Sequence, residues 1–210
     1  MDWTKVAEIV ERTKQSNTSQ EEVDDAAMKF ETCLESARKG DADAQFRLGK
    51  MYSDGVGCDT DEVHAFKWYK KGAKQGHVGA QFNLAGIYKN GVGCDKNEVH
   101  AFKLYKKGAK QGDVDCHYCL AAMYSNGVGC DKDEIQAFKL FKKSAEQGDV
   151  DAQCRLAAMY SNGVGCDKDE VRAFKWYKKG AKQGDADAQF CLANMYKNGV
   201  GCDKDEVRAF

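Results

Sequence analysis

Apolar residues recur along this chain at the spacing of an α-helix. After Asp41, four of them fall at i, i+4, i+7 and i+8, which places them on one face of a helix over roughly 42–54. Asp41 itself is positioned to cap the N-terminus of that helix. The apolar face consists of Ala44, Leu48, Met51 and Tyr52.

A glycine-rich turn separates this helix from a second apolar face. Gly55 and Gly57 end the first helix, because glycine readily adopts the positive φ that a helix exit requires. The second face predicts a helix over roughly 60–75, and Asp59 and Glu62 stand at the spacing of a capping box near its start. Its apolar members are Ala65, Phe66, Trp68, Tyr69 and Ala73.

The helix pair repeats along the chain with a period of 36 residues. The tetrapeptide GVGC marks the period. It ends at Cys58, Cys94, Cys130, Cys166 and Cys202. Repetition of a helical hairpin is the signature of an array in which neighbouring repeats bury each other's apolar faces. The sequence therefore predicts an all-α solenoid of antiparallel helix-turn-helix repeats. The predicted repeats are 41–76, 77–112, 113–148, 149–184 and a truncated 185–210.

Both ends of the array depart from the repeat. Residues 1–40 predict a divergent helical hairpin that caps the array, with helices over 2–15 and 21–39. Three apolar residues of the second helix align with the repeat: Phe30, Cys33 and Ala37 with Phe66, Tyr69 and Ala73. The last repeat stops inside its second helix, so we expect a longer array and an open end that permits end-to-end self-association. A reading frame that continues past residue 210 would test this expectation.

The repeat resembles the Sel1-like repeat family, a class of α-solenoid related to tetratricopeptide repeats. The resemblance covers about residues 41–210, and more loosely 1–40. It implies a right-handed superhelix whose first helices line a concave surface, and an adaptor that assembles protein complexes. The first full repeat matches the family pattern at Ala44, Leu48, Gly49, Tyr52, Gly55, Gly57, Asp61, Ala65, Trp68, Tyr69, Lys71, Ala73 and Gly76.

Two departures from the family pattern affect the prediction. The loop valine of the family is a cysteine in each repeat. The alanine that precedes the last alanine of the second helix is also replaced. Its slot holds Gly72, Gly108, Ser144 and Gly180. A glycine inside a helix costs about 0.5–1 kcal/mol relative to alanine, so we expect the second helices to be looser than in the family.

The charge balance argues against some classes of partner. Lys and Arg number 32 and Asp and Glu number 33, which gives a net charge of −1 and no electrostatic footprint for nucleic acid. Lysine pairs such as Lys70–Lys71 are interpreted as a solvated face that acidic loops offset. No polybasic run or long apolar stretch indicates a membrane partner, and the N-terminus carries no secretory signal. A cytoplasmic protein is therefore expected.

The ten cysteines are interpreted as packing residues. Equivalent loop positions of stacked repeats should lie about 8–10 Å apart, beyond the Cα separation of about 7 Å that a disulfide allows. One thiol per loop also supplies no tetrahedral zinc site. Cys116, His117 and Cys119 lie together on one helix without a fourth ligand at suitable spacing, so neither a metal nor a cofactor is expected.

Catalysis is not expected from this sequence. It contains no phosphate-binding glycine loop that opens a helix after a strand, and no pair of nucleophile and base stands out. Asp and Glu concentrate at helix starts, where capping explains them. His64 and His100 share one slot of the second helix, and the aromatic residues are expected to pack between repeats. No catalytic residue is predicted.

Slots of the first helix that vary between repeats are the candidate partner contacts. The slots of Arg47, Lys50 and Ser53 lie at i, i+3 and i+6 and share one face, whereas those of Leu48 and Tyr52 never vary. Neutral drift on a solvated face is the alternative explanation. The two arginines are the strongest candidates, because arginine can bind a carboxylate bidentately. The candidate set is Arg47, Lys50, Asn83, Lys89, Arg155, Asn194 and Lys197.

The predicted function is a non-enzymatic scaffold that binds a peptide or protein, in extended or helical form, along the first helices. One alternative is a structural or regulatory repeat module of a longer protein whose activity lies elsewhere. Another is a metal- or redox-responsive array of cysteines, which metal analysis of the purified protein would reveal.

Overall fold

Helices are the regular secondary structure of the computed structural model, which describes residues 24–205 and 207–209. No strand occurs in that part of the chain, so the predicted all-α solenoid is confirmed. Helix α1 covers residues 24–38, and the helix predicted over 2–15 lies outside the described residues. The other helices are α2 (Ala42–Asp54), α3 (Glu62–Lys74), α4 (Val78–Asn90), α5 (Glu98–Lys110), α6 (Val114–Asn126), α7 (Glu134–Glu146), α8 (Val150–Asn162), α9 (Glu170–Lys182) and α10 (Ala186–Asn198).

The helices belong to two compact units, which are described separately. The described residues of unit 1 extend to Lys96 and contain α1–α4, and those of unit 2 begin at Asn97 and contain α5–α10. Even-numbered helices begin the repeats and are called A helices, and odd-numbered helices are called B helices. In unit 2 each helix packs on the next along the chain, so A and B helices alternate through the stack.

The A helices begin and end as the sequence predicts. Asp41 accepts a hydrogen bond from the backbone N–H of Ala44 at 2.6 Å and so caps α2. Gly55 ends this helix at a φ of 69°, a left-handed conformation that costs glycine little because it has no Cβ. Aspartates cap α6, α8 and α10 in the same way, and the imidazole of His77 takes this role in α4.

The start of the first B helix after α2 differs from the prediction. Asp61 caps α3, because its carboxylate accepts from the backbone N–H of His64 at 2.8 Å, and the capping role predicted for Asp59 is wrong. The cause is a bond that closes the turn: the backbone N–H of Asp61 donates to the carbonyl oxygen of Tyr52 at 2.9 Å. This bond fixes the helix start and leaves Asp59 inside the turn.

The core of each repeat lies between its A helix and its B helix. A Cβ added at Gly49 would lie 2.7 Å from the Tyr69 ring, so this glycine lets the α3 tyrosine approach α2 closely. Leu48 in unit 1 and Leu156 in unit 2 occupy the same slot of the repeat, and both are fully buried. In unit 2 Leu156 belongs to a cluster of buried residues that also includes Phe141 of the preceding B helix.

Aromatic pairs join neighbouring repeats. In each pair a B-helix phenylalanine meets the tyrosine of the next A helix edge to face, with ring centroids between 5.1 and 5.4 Å apart. The charge distribution of aromatic rings favours this geometry. Aromatic rings therefore pack between neighbouring repeats at these positions. The pairs are Phe30–Tyr52, Phe66–Tyr88, Phe102–Tyr124, Phe138–Tyr160 and Phe174–Tyr196.

The second glycine of each turn makes a still closer contact with the preceding repeat. Gly165 has a φ of +68°, and a Cβ added there would overlap the carbonyl oxygen of Glu134 and lie 2.7 Å from its carbonyl carbon. Glycine is the residue that permits such an approach of one backbone to another. The same contact recurs at Gly57 with Ala26, Gly93 with Glu62, Gly129 with Glu98 and Gly201 with Glu170.

Small residues inside the B helices allow a second close approach, between a B helix and the A helices beside it. A Cβ added at Gly180 would lie 3.1 Å from the Cβ of Ala188 and 3.3 Å from the Sγ of Cys154. Ser144 fills the same slot of α7 fully buried, and its hydroxyl donates to the carbonyl oxygen of Val114 at 3.3 Å. Small residues at these positions allow neighbouring helices to pack closely. This packing offsets part of the free energy that a glycine costs inside a helix.

A buried histidine of unit 2 has an unpaired ring nitrogen. Elsewhere its slot holds a glutamine whose side-chain amide donates to the preceding B helix, as Gln153 does to the carbonyl oxygen of Ala145 at 3.3 Å. His117 replaces that glutamine in α6, is 5% exposed, and leaves Nδ1 without a partner among the described residues. Burial, followed by the Lys143 ammonium, lowers the pKa of His117.

We predict that His117→Gln stabilises unit 2 by about 1 kcal/mol at neutral pH, because glutamine can restore the buried hydrogen bond. A histidine whose pKa is lowered by folding contributes no penalty above its ordinary pKa of 6.5, and it destabilises the fold as the pH drops below that value. The gain should therefore widen between about pH 7 and about pH 5 in urea titrations. Gln153→His should introduce the same pH dependence, and parallel pH profiles for wild type and His117→Gln would contradict this assignment.

Candidate interaction surface

A groove crosses the A helices of unit 2. It consists of two adjoining concavities, of about 320 and about 340 Å³, which share Tyr118, Arg155 and Ala158. The first is also lined by Ala122, Ser125, Asn126, Phe141, Met159, Asn162 and Val164, and the second by Asp151, Cys154, Tyr177, Asp185, Asp187, Phe190 and Cys191. We call the two together the A-helix groove.

The groove owes its depth to small side chains flanked by aromatic ones. Ala122 and Ala158 fill the slot that holds Lys50 in the first repeat, so α6 and α8 are recessed at this point. Tyr118 forms one wall, and its ring packs edge to face on Phe141 of α7 at 5.5 Å between centroids. The B helix therefore fixes a ring that the A helix presents to the groove.

Arg155 occupies the junction of the two concavities. Its side chain is exposed, and none of the ion pairs among the described residues involves it. Acidic residues border the second concavity, with Asp151 one turn earlier on α8 and Asp187 in the first turn of α10. The groove thus offers a cation at its centre and carboxylates toward one end.

Cys154 in the groove is held as a thiol. Its Sγ donates to the carboxylate of Asp185 at 3.1 Å. Burial, with the hydrogen bond to Asp185 as the next cause, raises the pKa of Cys154 to about 12. The pKa of Asp185 is lowered, chiefly because the carboxylate accepts from the backbone N–H of Ala188, which it caps at 2.6 Å. A thiolate nucleophile is therefore disfavoured at this position.

Two of the predicted residues of unit 1 line a different cavity. Arg47 and Lys50 are exposed and border a space of about 760 Å³ between α1 and α2, beside Cys33. In the next repeat the slot of Cys33 holds Tyr69, which packs on the A helix of its own repeat. For α1 that helix would precede residue 24, outside the described residues. The A-helix groove of unit 2, by contrast, is lined by side chains of α6, α7, α8, α9 and α10.

The side chains that fill the slot of Arg47 in the different repeats are of two kinds. Arg47 and Arg155 are exposed, whereas Asn83 is half-buried and donates to the carbonyl oxygen of Gly79 on its own helix at 2.9 Å. Cysteines fill the slot in the other repeats, each hydrogen-bonded to a B-helix tyrosine: Cys119 to Tyr105 and Cys191 to Tyr177. Part of the variation therefore reflects packing.

The other candidate residues lie outside the A-helix groove. Lys89, Asn194 and Lys197 are exposed and line neither concavity. Sequence analysis did not predict Tyr118, because only the slots of Arg47, Lys50 and Ser53 were considered as variable positions of the A helices. A signal was present, since its slot also varies between repeats. It holds Phe46, Phe82, Tyr118, Cys154 and Phe190.

Four of the five loop cysteines act as hydrogen-bond donors to the helix that precedes them, whereas Cys94 donates to the carbonyl oxygen of Asp95. The thiols of Cys58, Cys130, Cys166 and Cys202 each point to the carbonyl oxygen of a methionine seven residues earlier, at 3.7 Å. Burial raises the pKa of each of these thiols. All ten cysteines are free, and the described residues contain no group of three or more His, Cys, Asp or Glu side chains that could hold a metal ion.

Two histidine–carboxylate pairs lie at helix ends. His64 Nδ1 lies 2.7 Å from Asp61, which caps α3, and His77 Nε2 lies 3.1 Å from Asp43. His77 also accepts from the backbone N–H of Ala80 through Nδ1. One member of each pair, Asp61 or His77, is the N-cap of its helix. Within residues 24–205 and 207–209, the helices are too short or too polar to cross a membrane.

Comparison with known proteins identifies the repeat. A family model described as Sel1 repeat matches residues 42–77, 78–113, 114–149, 150–185 and 186–210. A protective antigen present in uropathogenic Escherichia coli strains, with an SLR fold, has a TM-score of 0.84 at 32% identity. The match covers 87% of this chain and 39% of the antigen, so this chain spans well under half of that protein.

Two further solved structures are similar. A Sel1 repeat protein from Oxalobacter formigenes has a TM-score of 0.76 at 33% identity, over 88% of this chain and 79% of that one. An immunity protein from Pseudomonas aeruginosa has a TM-score of 0.50 at 26% identity, over 74% of this chain and 57% of that one. A comparison with curated protein sequences gave no match.

Proposed function

The chain belongs to the Sel1 repeat family, and from this premise we propose that it is a scaffold that binds a peptide or protein segment in the A-helix groove of unit 2. Sel1 repeat solenoids typically mediate protein–protein interaction. The groove supplies what such a role needs, namely a recessed floor, aromatic walls and a few charged groups that fix orientation.

The observation that carries the proposal is the position of Arg155. It is exposed at the junction of both concavities, and its guanidinium has no carboxylate partner among the ion pairs of the described residues. A guanidinium can donate two parallel hydrogen bonds to a carboxylate, which gives orientation as well as affinity. Arginine is also enriched among residues that dominate binding energy at interfaces.

The charges around Arg155 define the segment that suits the groove. A carboxylate of the partner would bind Arg155, and a basic side chain displaced toward α10 would lie near Asp187. Apolar side chains of the segment would contact Tyr118 and Phe190, of which Phe190 is 69% exposed. The proposed partner is therefore a protein segment with an acidic, an apolar and a basic residue in sequence along the groove.

We predict that Arg155→Glu lowers recovery of the partner by at least about tenfold, because the introduced carboxylate repels the acidic residue that Arg155 binds. Affinity capture from lysate of the source organism, read by mass spectrometry, measures the recovery. Arg47→Glu makes the same charge change in the same slot of unit 1 and should leave recovery unchanged. Equal recovery by wild type and Arg155→Glu, with helicity intact, would place the partner on another surface.

We infer further that the chain is not an enzyme and works in a reducing compartment. Sel1 repeat proteins are generally non-catalytic scaffolds. The groove contains a protonated thiol, and its carboxylate Asp185 is engaged in capping α10. Ten free thiols suit the cytoplasm, where glutathione and thioredoxin keep cysteines reduced.

A second candidate function is a structural or regulatory repeat module of a longer protein. The antigen from Escherichia coli supports it, since this chain spans 39% of that protein. The two candidates differ in their expected partner. A scaffold binds a separate protein through Arg155, whereas a module would contact other parts of its own chain.

A further inference from the structure

The B helices of unit 2 concentrate lysines on one face. In α5, Val99, Lys103, Lys106 and Lys110 fall at i, i+4, i+7 and i+11, and all four are exposed. The buried residues of the same helix, such as Tyr105, lie on its other side. The equivalent exposed residues are Ile135, Lys139, Lys142 and Glu146 in α7, and Val171, Lys175, Lys178 and Lys182 in α9. We call the eight lysines the outer lysine face.

The charge of the outer lysine face is scarcely neutralised. Among the ion pairs of the described residues, one involves these lysines, between Lys142 and Glu146 at 3.9 Å. The acidic residues of each repeat lie in the turns and at the helix starts, where Asp133 caps α7 and Lys132 pairs with Glu134 at 2.7 Å. The net charge of −1 therefore conceals a separation of charge within each repeat, and such a separation creates a local positive potential.

An aliphatic row lies beside these lysines. Val99, Ile135 and Val171 are 49%, 57% and 52% exposed, and each stands in the first turn of its B helix. The slot holds valine or isoleucine in each repeat, as Val63 and Val207 also show. An aliphatic side chain beside a row of cations suits a partner that carries both apolar and acidic groups.

We propose that the outer lysine face and the aliphatic row form a second interaction surface, which binds an acidic protein segment that contains aliphatic residues. Carboxylates of the segment pair with the lysines, and its aliphatic side chains bury against Val99, Ile135 and Val171. This surface lies on the B helices and is separate from the A-helix groove. A scaffold with both surfaces can hold two protein segments at once.

Other polyanions fit this surface less well. Nucleic acid is commonly bound through exposed aromatic rings or through the fork of arginine. Here Phe102 and Phe174 are half-buried beneath Lys106 and Lys178, whose ammonium groups lie 5.7 and 5.8 Å from the ring centroids. An anionic membrane favours tryptophan, phenylalanine or leucine as anchors, whereas this surface offers valine and isoleucine.

The test uses the full chain and a fluorescent synthetic peptide in which leucine alternates with pairs of glutamate. Binding is measured by anisotropy at rising salt, which should weaken it because exposed charges are screened. The triple variant Lys103→Glu, Lys139→Glu and Lys175→Glu should bind the peptide at least about tenfold more weakly. The control Lys50→Glu, Lys89→Glu and Lys197→Glu makes the same charge change on the A helices and should bind like wild type. If the glutamate variant loses helicity, glutamine at the same three lysines replaces it.

The aliphatic row is tested separately. Val99→Ser, Ile135→Ser and Val171→Ser together should weaken binding of the leucine peptide and leave a serine-for-leucine peptide unaffected. The proposal is overturned if the A-helix control weakens binding as much as the B-helix variant, or if no variant changes it. Tighter binding of single-stranded RNA, or of vesicles of phosphatidylserine and phosphatidylcholine, would also overturn it.

Discussion

Replacement of Gly165 by alanine is expected to destabilise unit 2 by more than about 3 kcal/mol, because a strained backbone and an overpacked contact add together. The added Cβ would collide with the backbone of Glu134, at its carbonyl oxygen and carbon. Backbone in the first turn of α7 cannot move aside as the end of a flexible side chain could. Relief of the clash requires the turn between α8 and α9 to separate from α7, and this separation would weaken the Phe138–Tyr160 pair as well.

Gly163→Ala is the matched control for this prediction. Gly163 has a φ of +69°, close to the +68° of Gly165, but a Cβ there would lie 3.4 Å from its nearest neighbours on Lys168. The Gly163→Ala substitution should lower the free energy of unfolding only by the cost of placing alanine in the left-handed conformation, about 1–2 kcal/mol. Urea unfolding followed by circular dichroism measures both variants. Equal costs would show that the contact with Glu134 is not what requires glycine at residue 165.

Leu156→Ala should cost about 2–5 kcal/mol, because it removes a fully buried side chain and leaves a cavity. Leu156 has 0% exposure and lies in the cluster that contains Phe141, Met159 and Tyr177. The cluster draws on helices of three repeats, so the loss should lower the midpoint for all of unit 2. A midpoint that drops without a change in the m-value would identify the effect as loss of stability.

Leu192→Ala tests whether burial decides the size of that effect. Leu192 fills the same slot in α10 but is half-buried. Its replacement should cost less than that of Leu156, since less apolar surface returns to water. Equal losses of unfolding free energy for the two variants would contradict the assignment of Leu156 to the centre of the core.

The helix pairs were predictable because their signals are local and recur in each repeat. Asp41 and Gly55 occupy positions whose chemistry hardly depends on distant parts of the chain. The start of α3 was not predictable in this way, because Asp59 and Asp61 are equally suitable caps by residue type. A bond across the turn, from the Asp61 N–H to the Tyr52 carbonyl, selects between them, and no propensity encodes it.

The candidate surface was predictable only in part. Variation between repeats singled out the slot of Arg155. It could not distinguish an exposed arginine from Cys119, whose thiol is hydrogen-bonded to the Tyr105 side chain. Tyr118 was missed because one side of its ring packs in the core while the residue also lines the groove. Similarly, counted charges suggest a neutral molecule, because a count does not show that the lysines share one face of the B helices while most acidic residues lie in the turns and at the helix starts.

The contacts that join the repeats bear on how such a gene can change. Gly165 meets the backbone of Glu134, and Phe138 meets Tyr160, with equivalents in the other described repeats. These joints depend on main chain and on side chains that all repeats share, so a repeat fits beside any other. Unequal recombination between the DNA segments that encode these near-identical repeats could then add or delete whole repeats without a new interface having to evolve. The length of the array can drift over generations while each junction stays intact.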